Sequence, residues 1–159
     1  MSSIQPATAV PELPPRQERW RDYLELTKPK VVALIVFTAI VGMCLATPGM
    51  VPLPALIFGT IGIGMAAAAG AAYNHIVDSR IDALMARTKN RPLPQGALNM
   101  RAAVAFATAL CLGSVIILEV FVNTLTAVLT LLSMVGYSVI YTLYLKRATP
   151  QNIVIGGAA

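Results

Sequence analysis

Long apolar stretches free of Lys and Arg fix the solvent for this chain before any other feature is considered. Four of them cover about 31–46 with its flanks, 53–73, 102–122 and 125–145, and a fifth begins at Ile153. A bilayer core of about 30 Å is crossed by about 20 mostly apolar helical residues. Hydrophobic residues make up 57% of the chain and charged ones 12%, against roughly 25% charged in an average soluble domain. With a mean hydropathy of +0.71, there are too few polar side chains to cover a water-facing surface. The expectation is an all-α, polytopic transmembrane helix bundle with four complete spans plus the start of a fifth.

The basic residues supply an orientation. Arg16, Arg19, Arg21, Lys28 and Lys30 precede the first span, and Arg80, Arg87, Lys89, Arg91 and Arg101 lie between the second and third. Lys146 and Arg147 follow the fourth, and the remaining connections carry no Lys or Arg. Cytoplasmic loops are enriched in these residues, so this alternation predicts a cytoplasmic N-terminus. Topology thereby accounts for the net charge of +5, and no basic helix face interleaved with aromatics points to nucleic acid. Residues 1–22 read as a disordered, Pro-rich cytoplasmic tail (Pro6, Pro11, Pro14, Pro15) and 23–159 as the transmembrane domain. The tail resembles neither a cleavable signal peptide nor an acid-poor presequence, which makes a bacterial inner membrane the simpler location. Cys44 and Cys111 fall inside spans without metal spacing and read as packing residues.

The second span carries the chemistry. Gly62, Ala66, Gly70, Asn74, Asp78 and Asp82 recur every fourth residue. Four residues advance a helix by about 400°, so the series keeps to one side with a drift of about 40° per step. Its small members would let another helix approach closely in lipid. Its polar members would emerge near the cytoplasmic end. Asp at membrane depth costs about 2.5–3.5 kcal/mol at the helix centre and less near the interface, and two Asp at this spacing repel. A divalent cation between Asp78 and Asp82 removes both difficulties. Mg²⁺ is commonly held by one or two carboxylates together with substrate phosphates, and Asn74 could add a neutral oxygen or bond a phosphate. Arg87, Lys89 and Arg91 follow, before Pro92-Leu93-Pro94. Arg offers a fork for phosphate oxygens and Lys a point charge. The bases alone read equally as topology signals; acids and bases together suggest a lipid-like diphosphate substrate.

The segment Asn74-His75-Ile76-Val77-Asp78-Ser79-Arg80-Ile81-Asp82 resembles the first aspartate-rich motif, N-x-x-x-D-x-x-x-D, of the UbiA prenyltransferase superfamily. Its continuation through Met85, Arg87, Thr88, Arg91, Pro92 and Leu93 is similar to the heme O synthase branch in particular. So are Leu26-Thr27-Lys28-Pro29-Lys30, Tyr141-Thr142 to Lys146-Arg147, and Asn152 to Ala159. The resemblance implies a prenyltransferase that moves a farnesyl group from farnesyl diphosphate to a vinyl group of heme B, giving heme O for terminal oxidases. It implies that Asn74, Asp78 and Asp82 bind Mg²⁺ with the diphosphate and that Arg87, Lys89 and Arg91 hold the phosphates. Lys28, Tyr141 and Lys146 join them as substrate-binding residues, with heme B a substrate rather than a cofactor. Heme A synthase or oxidase assembly machinery enter as partners by the same resemblance. The family has a longer fold with a second aspartate-rich motif, so the chain is read as the N-terminal part of such a protein.

Other readings remain at this point. A UbiA-type enzyme acting on a quinone precursor shares the aspartate motif, and a non-catalytic membrane assembly subunit would share the helices. A CDP-alcohol phosphotransferase would need Gly at position 74 and a preceding Asp-Gly pair. His75, about 100° from the acid stripe, reads as a packing or interface residue, with contact to a porphyrin as the alternative. Tyr137, Tyr141 and Tyr144 read as an aromatic belt at the membrane interface, the alternative being that Tyr141 lines the pocket. Glu119 stands near the opposite end, with no partner evident among its neighbours.

Overall fold

The computed structural model of the chain describes residues 20–86, 88 and 91–138. Five helices follow one another: α1 (Trp20–Leu26), α2 (Pro29–Ala46), α3 (Leu53–Asp82), α4 (Met100–Phe121) and α5 (Thr124–Val135). The described residues form no strand, and the architecture is an all-α transmembrane bundle. Among the described residues three helices, α2, α3 and α4, are long and apolar enough to cross a membrane. The span expected at 125–145 begins as α5; the rest of it, and the run from Ile153, lie outside the described residues.

Prolines and asparagines set the helix limits. α2 ends at Ala46 ahead of Pro48, and α3 starts at Leu53 with Pro54 in its first turn, where a missing N–H breaks no intrahelical bond. The turn between them passes through Gly49 at φ +97, a conformation open to glycine. The side chain of Asn99 caps α4 by accepting from the Arg101 amide at 2.9 Å. Asn123 caps α5 in the same way, accepting from the Thr126 amide at 2.7 Å.

α3 is the central element. Its 30 residues extend about 45 Å at 1.5 Å per residue, well beyond an apolar core of about 30 Å. The polar turns after Tyr73 therefore project past the apolar stretch, still helical. Most of the packing is between α3 and α4, with α2, α5 and α1 also against α3. The small-residue stripe does what its composition allows. A Cβ on Gly62 would stand 2.6 Å from Cγ and Cδ2 of Leu118, and Ser114 Oγ donates to the Gly62 carbonyl at 2.7 Å. Gly70 faces Met134, Tyr137 and Ser138 less tightly, an added Cβ standing 3.4–3.9 Å from them. The outward faces are apolar: Leu34, Phe37 and Leu45 on α2, Ile116 and Val120 on α4, and Leu125 and Leu132 on α5 are exposed. Such surface is compatible with lipid and not with water.

α1 precedes the first span and packs against the bundle. The helix starts at Trp20, three residues earlier than the domain start expected at Tyr23, and Asp22 and Leu26 are buried. Leu26 packs with Ala72, Leu98, Ala103 and Ala107, flanked by Tyr23, Tyr73, Ile76 and Leu93. The Tyr23 ring meets Phe106 edge-on at 5.1 Å. Tyr23 and Leu26, three apart on one helical face, tie the segment to the ends of α3 and α4. Residues 1–19 of the expected tail lie outside the described residues.

Candidate functional site

The polar end of α3 is a buried cluster. Asn74, Asp78 and Asp82 are 7%, 4% and 4% exposed, which is unusual for carboxylates unless they are paired or bind a cation. The C-terminal end of a helix carries partial negative charge. Asp78 and Asp82 add to that field, so the whole end of α3 attracts cations.

The following loop folds back to answer it. Thr88 is buried and its Oγ1 donates to the Asp82 carbonyl at 3.1 Å, satisfying a terminal helix acceptor. Amides of Arg91, Gln95, Gly96 and Ala97 bond to carbonyls of Thr88, Arg91, Leu93 and Pro92, winding the segment into successive turns. Gly96, at φ +66, takes the position in this winding that suits glycine. The result is an ion pair at 2.5 Å between Arg91 Nη1 and Asp82 Oδ2. Lys28 sits between α1 and α2 in a left-handed conformation, φ 50 and ψ 65. The charges of Lys28, Arg91, Asp78 and Asp82 are all within electrostatic reach of His75. The loop after α3 thus folds back onto the acidic helix end.

Of the residues expected at a site, the structure brings together Asn74, Asp78, Asp82 and Arg91, while Lys28 stands at the α1–α2 junction. Arg91 differs in its partner: it engages the acid at the end of the stripe. Arg87, Lys89, Tyr141 and Lys146 lie outside the described residues. His75 is buried at 4% exposure, and its Nε2 has no hydrogen-bond partner among the described residues. Tyr137 also meets the stripe: its hydroxyl accepts from Asn74 Nδ2 at 3.3 Å. The signal that could have found it is Gly70, one turn before Asn74, whose bare face admits α5. Glu119 also has a partner: Thr124 Oγ1 donates to its Oε1 at 2.8 Å.

The donor set suits a hard divalent cation. Asp78 and Asp82 supply anionic oxygens, and Asn74 Oδ1 is buried without a hydrogen-bond partner among the described residues. Among those residues no group of three or more His, Cys, Asp and Glu side chains gathers as a metal site. Carboxylate and amide oxygens are the donors that hard divalent cations take.

Known proteins match this chain along nearly its whole length. The sequence profile of the UbiA prenyltransferase family matches residues 35–159. The chain is 61% identical over 140 residues to a protein named protoheme IX farnesyltransferase 1 in Shewanella loihica, covering 88% of this chain and 47% of that protein. It is 58% identical over 157 residues to protoheme IX farnesyltransferase of Shewanella amazonensis, covering 99% of this chain and 51% of the relative. The protein of the same name in Alkalilimnicola ehrlichii is 59% identical over 140 residues, 88% of this chain and 46% of its own. The chain thus spans about half the length of the curated relatives it matches. No solved structure matches it.

Proposed function

The chain belongs to the UbiA prenyltransferase family, and on that premise we propose that it forms the diphosphate-binding end of a protoheme IX farnesyltransferase. The reaction would transfer farnesyl from farnesyl diphosphate to a vinyl group of heme B, giving heme O. The observation that carries this reading is the buried Asn74–Asp78–Asp82 stripe, brought against Arg91 at the end of a helix that outruns the membrane core. Identities near 60% to proteins bearing that name support the choice within the family.

Each group has a physical task in this chemistry. Breaking the allylic carbon–oxygen bond leaves negative charge on the diphosphate and positive charge on the farnesyl carbon. Asn74, Asp78 and Asp82 would hold Mg²⁺, which supplies positive charge where the diphosphate becomes more negative. Arg91 presents a guanidinium beside Asp82, where it can turn its remaining N–H groups to phosphate oxygens. Lys28 adds a second positive charge from the α1–α2 junction, and Arg87, Lys89 and Lys146 would complete the phosphate contacts. The apolar faces of α3, α4 and α5 shelter the allylic cation from water, with Tyr141 expected to line the prenyl path. No protein nucleophile is required: the vinyl group of heme B would attack the farnesyl carbon as diphosphate leaves, and a water adding to the resulting side-chain cation, with loss of a proton, would complete the hydroxyethylfarnesyl group. In this reading the N-terminus faces the cytoplasm across a bacterial inner membrane, and residues 23–159 form the N-terminal part of the prenyltransferase domain.

Heme analysis by mass spectrometry tests the proposal. Membranes containing the protein, incubated with heme B, farnesyl diphosphate and Mg²⁺, should yield heme O that disappears with a chelator. Prenylation of a quinone precursor in place of heme B would overturn the substrate assignment. Binding of farnesyl diphosphate that is indifferent to Mg²⁺ and to Asp78→Asn would overturn the site.

A further inference from the structure

The amide of Asn74 poses a problem that its carboxylate neighbours do not. A carboxylate presents oxygen whichever way it turns, whereas a carboxamide presents either oxygen or an NH₂ group that repels a cation. A site that uses Asn74 Oδ1 therefore needs something to fix the amide. The structure contains one such device. Beyond Val135 the chain makes a wider, π-type turn over 136–138, a feature that re-aims side chains in helices. A Cβ at Gly70 would lie 3.4 Å from Met134 Cγ, 3.6 Å from Ser138 Oγ and 3.9 Å from Tyr137 Cδ1. One turn further along α3, Asn74 Nδ2 donates to the Tyr137 hydroxyl at 3.3 Å. The nitrogen end of the amide is thereby occupied, and Oδ1 remains buried with no hydrogen-bond partner among the described residues.

We propose that Tyr137 is a positioning residue, holding the Asn74 amide by its nitrogen so that Oδ1 is the atom offered to a divalent cation shared with Asp78, its neighbour one turn along α3. Tyr137 acts through Asn74. Gly70 contributes by leaving the space in which the Tyr137 turn sits against α3. The inference rests on the reading of the stripe as a cation–diphosphate site, and it adds a specific contributor from α5.

The test is a binding measurement on the intact protein in detergent or vesicles, with farnesyl diphosphate as probe over a series of Mg²⁺ concentrations. Tyr137→Phe keeps the ring and removes only the hydroxyl. It should raise the Mg²⁺ concentration for half-maximal binding about tenfold, the usual scale for losing a partner that orients a metal ligand, with metal-free binding unchanged. In an Asn74→Asp background, whose side chain has two equivalent oxygens, the same replacement should change that concentration less than about twofold, because nothing is left to orient. An equal effect in both backgrounds, or an equal loss with and without Mg²⁺, overturns the positioning role. Should Asn74→Asp itself abolish binding, the comparison with and without Mg²⁺ decides alone. Asp78→Asn separates this inference from the reading beneath it. If that variant loses Mg²⁺-dependent binding while Tyr137→Phe does not, positioning fails and the site stands. If Asp78→Asn also changes nothing, both fail.

Discussion

Replacing Gly62 with alanine should destabilise the bundle even though the same replacement strengthens most helices. The added Cβ would lie 2.6 Å from both Cγ and Cδ2 of Leu118 and 3.4 Å from Cδ1, where carbon atoms ordinarily rest about 3.5–4.0 Å apart. Leu118 has no exposed surface, so it cannot swing aside into lipid. Either it leaves its rotamer, at about 0.5–1.5 kcal/mol, or α3 and α4 separate and stretch the Ser114–Gly62 hydrogen bond, worth about 0.6 kcal/mol in a membrane bundle. Overpacking of this kind costs about 1–3 kcal/mol, and the helical advantage of Ala over Gly returns about 1 kcal/mol. The net expectation is a loss of about 0–2 kcal/mol, and of about 1–3 kcal/mol relative to a glycine whose added methyl meets nothing. Gly42 on α2 is the matched control, since nothing lies within 4 Å of its added Cβ; Gly42→Ala should be neutral or stabilising by up to about 1 kcal/mol. Reversible unfolding in mixed micelles, titrated with dodecyl sulfate, would measure both. Leu118→Ala should make Gly62→Ala harmless, because the cavity receives the new methyl group. If Gly62→Ala proved no worse than Gly42→Ala, the close approach of α4 at this position would be refuted.

Two further outcomes follow from the acidic helix end. Arg91→Gln leaves the Asp82 carboxylate without its ion-pair partner; the Asp82 side chain is 6% exposed and that of Arg91 28%, so the loss should stay near the lower part of the about 3–5 kcal/mol range for breaking buried pairs. Adding Asp82→Asn should restore thermal stability while Mg²⁺-dependent binding of farnesyl diphosphate stays lost; recovery of binding would show that neither side chain belongs to the site. Lys28 adopts a left-handed conformation, so Lys28→Gly should exceed Lys28→Ala in stability by about 1 kcal/mol, both lacking the side chain. Equal melting temperatures for the two would contradict that backbone geometry, and unchanged diphosphate affinity in both would remove Lys28 from the site.

What was legible in the sequence follows the kind of signal each residue sends. Hydrophobic runs broken by Pro48 and Pro52, or opened by Asn99 and Asn123, mark helices because the physics is local: span length, missing amides and capping side chains. The four-residue stripe is local too, and its small and acidic halves landed on the faces their spacing implies. α1 was hidden because Trp20–Leu26 alternates charge with apolar residues, and its burial depends on a surface made jointly by Ala72, Leu98 and Ala103. Tyr137 was hidden for a related reason. Periodicity along the fourth span tells which tyrosines share a face and nothing about which helix that face meets.

The small and acidic halves of the stripe occupy one continuous helix, and this couples packing to chemistry. Gly62 and Gly70 set how closely α4 and α5 lie against α3. Asn74, Asp78 and Asp82 ride on the same rigid element one to three turns beyond Gly70. A helix transmits axial rotation and translation with little loss over such a distance, because every intervening backbone bond would have to distort to absorb it. A bulkier residue at position 70 would press on Met134, Tyr137 and Ser138 together, displacing the turn that meets Asn74. The glycines are therefore more than lipid-phase packing: they fix the register at which a residue from α5 reaches the polar end of α3, and the geometry of the acidic cluster inherits that register.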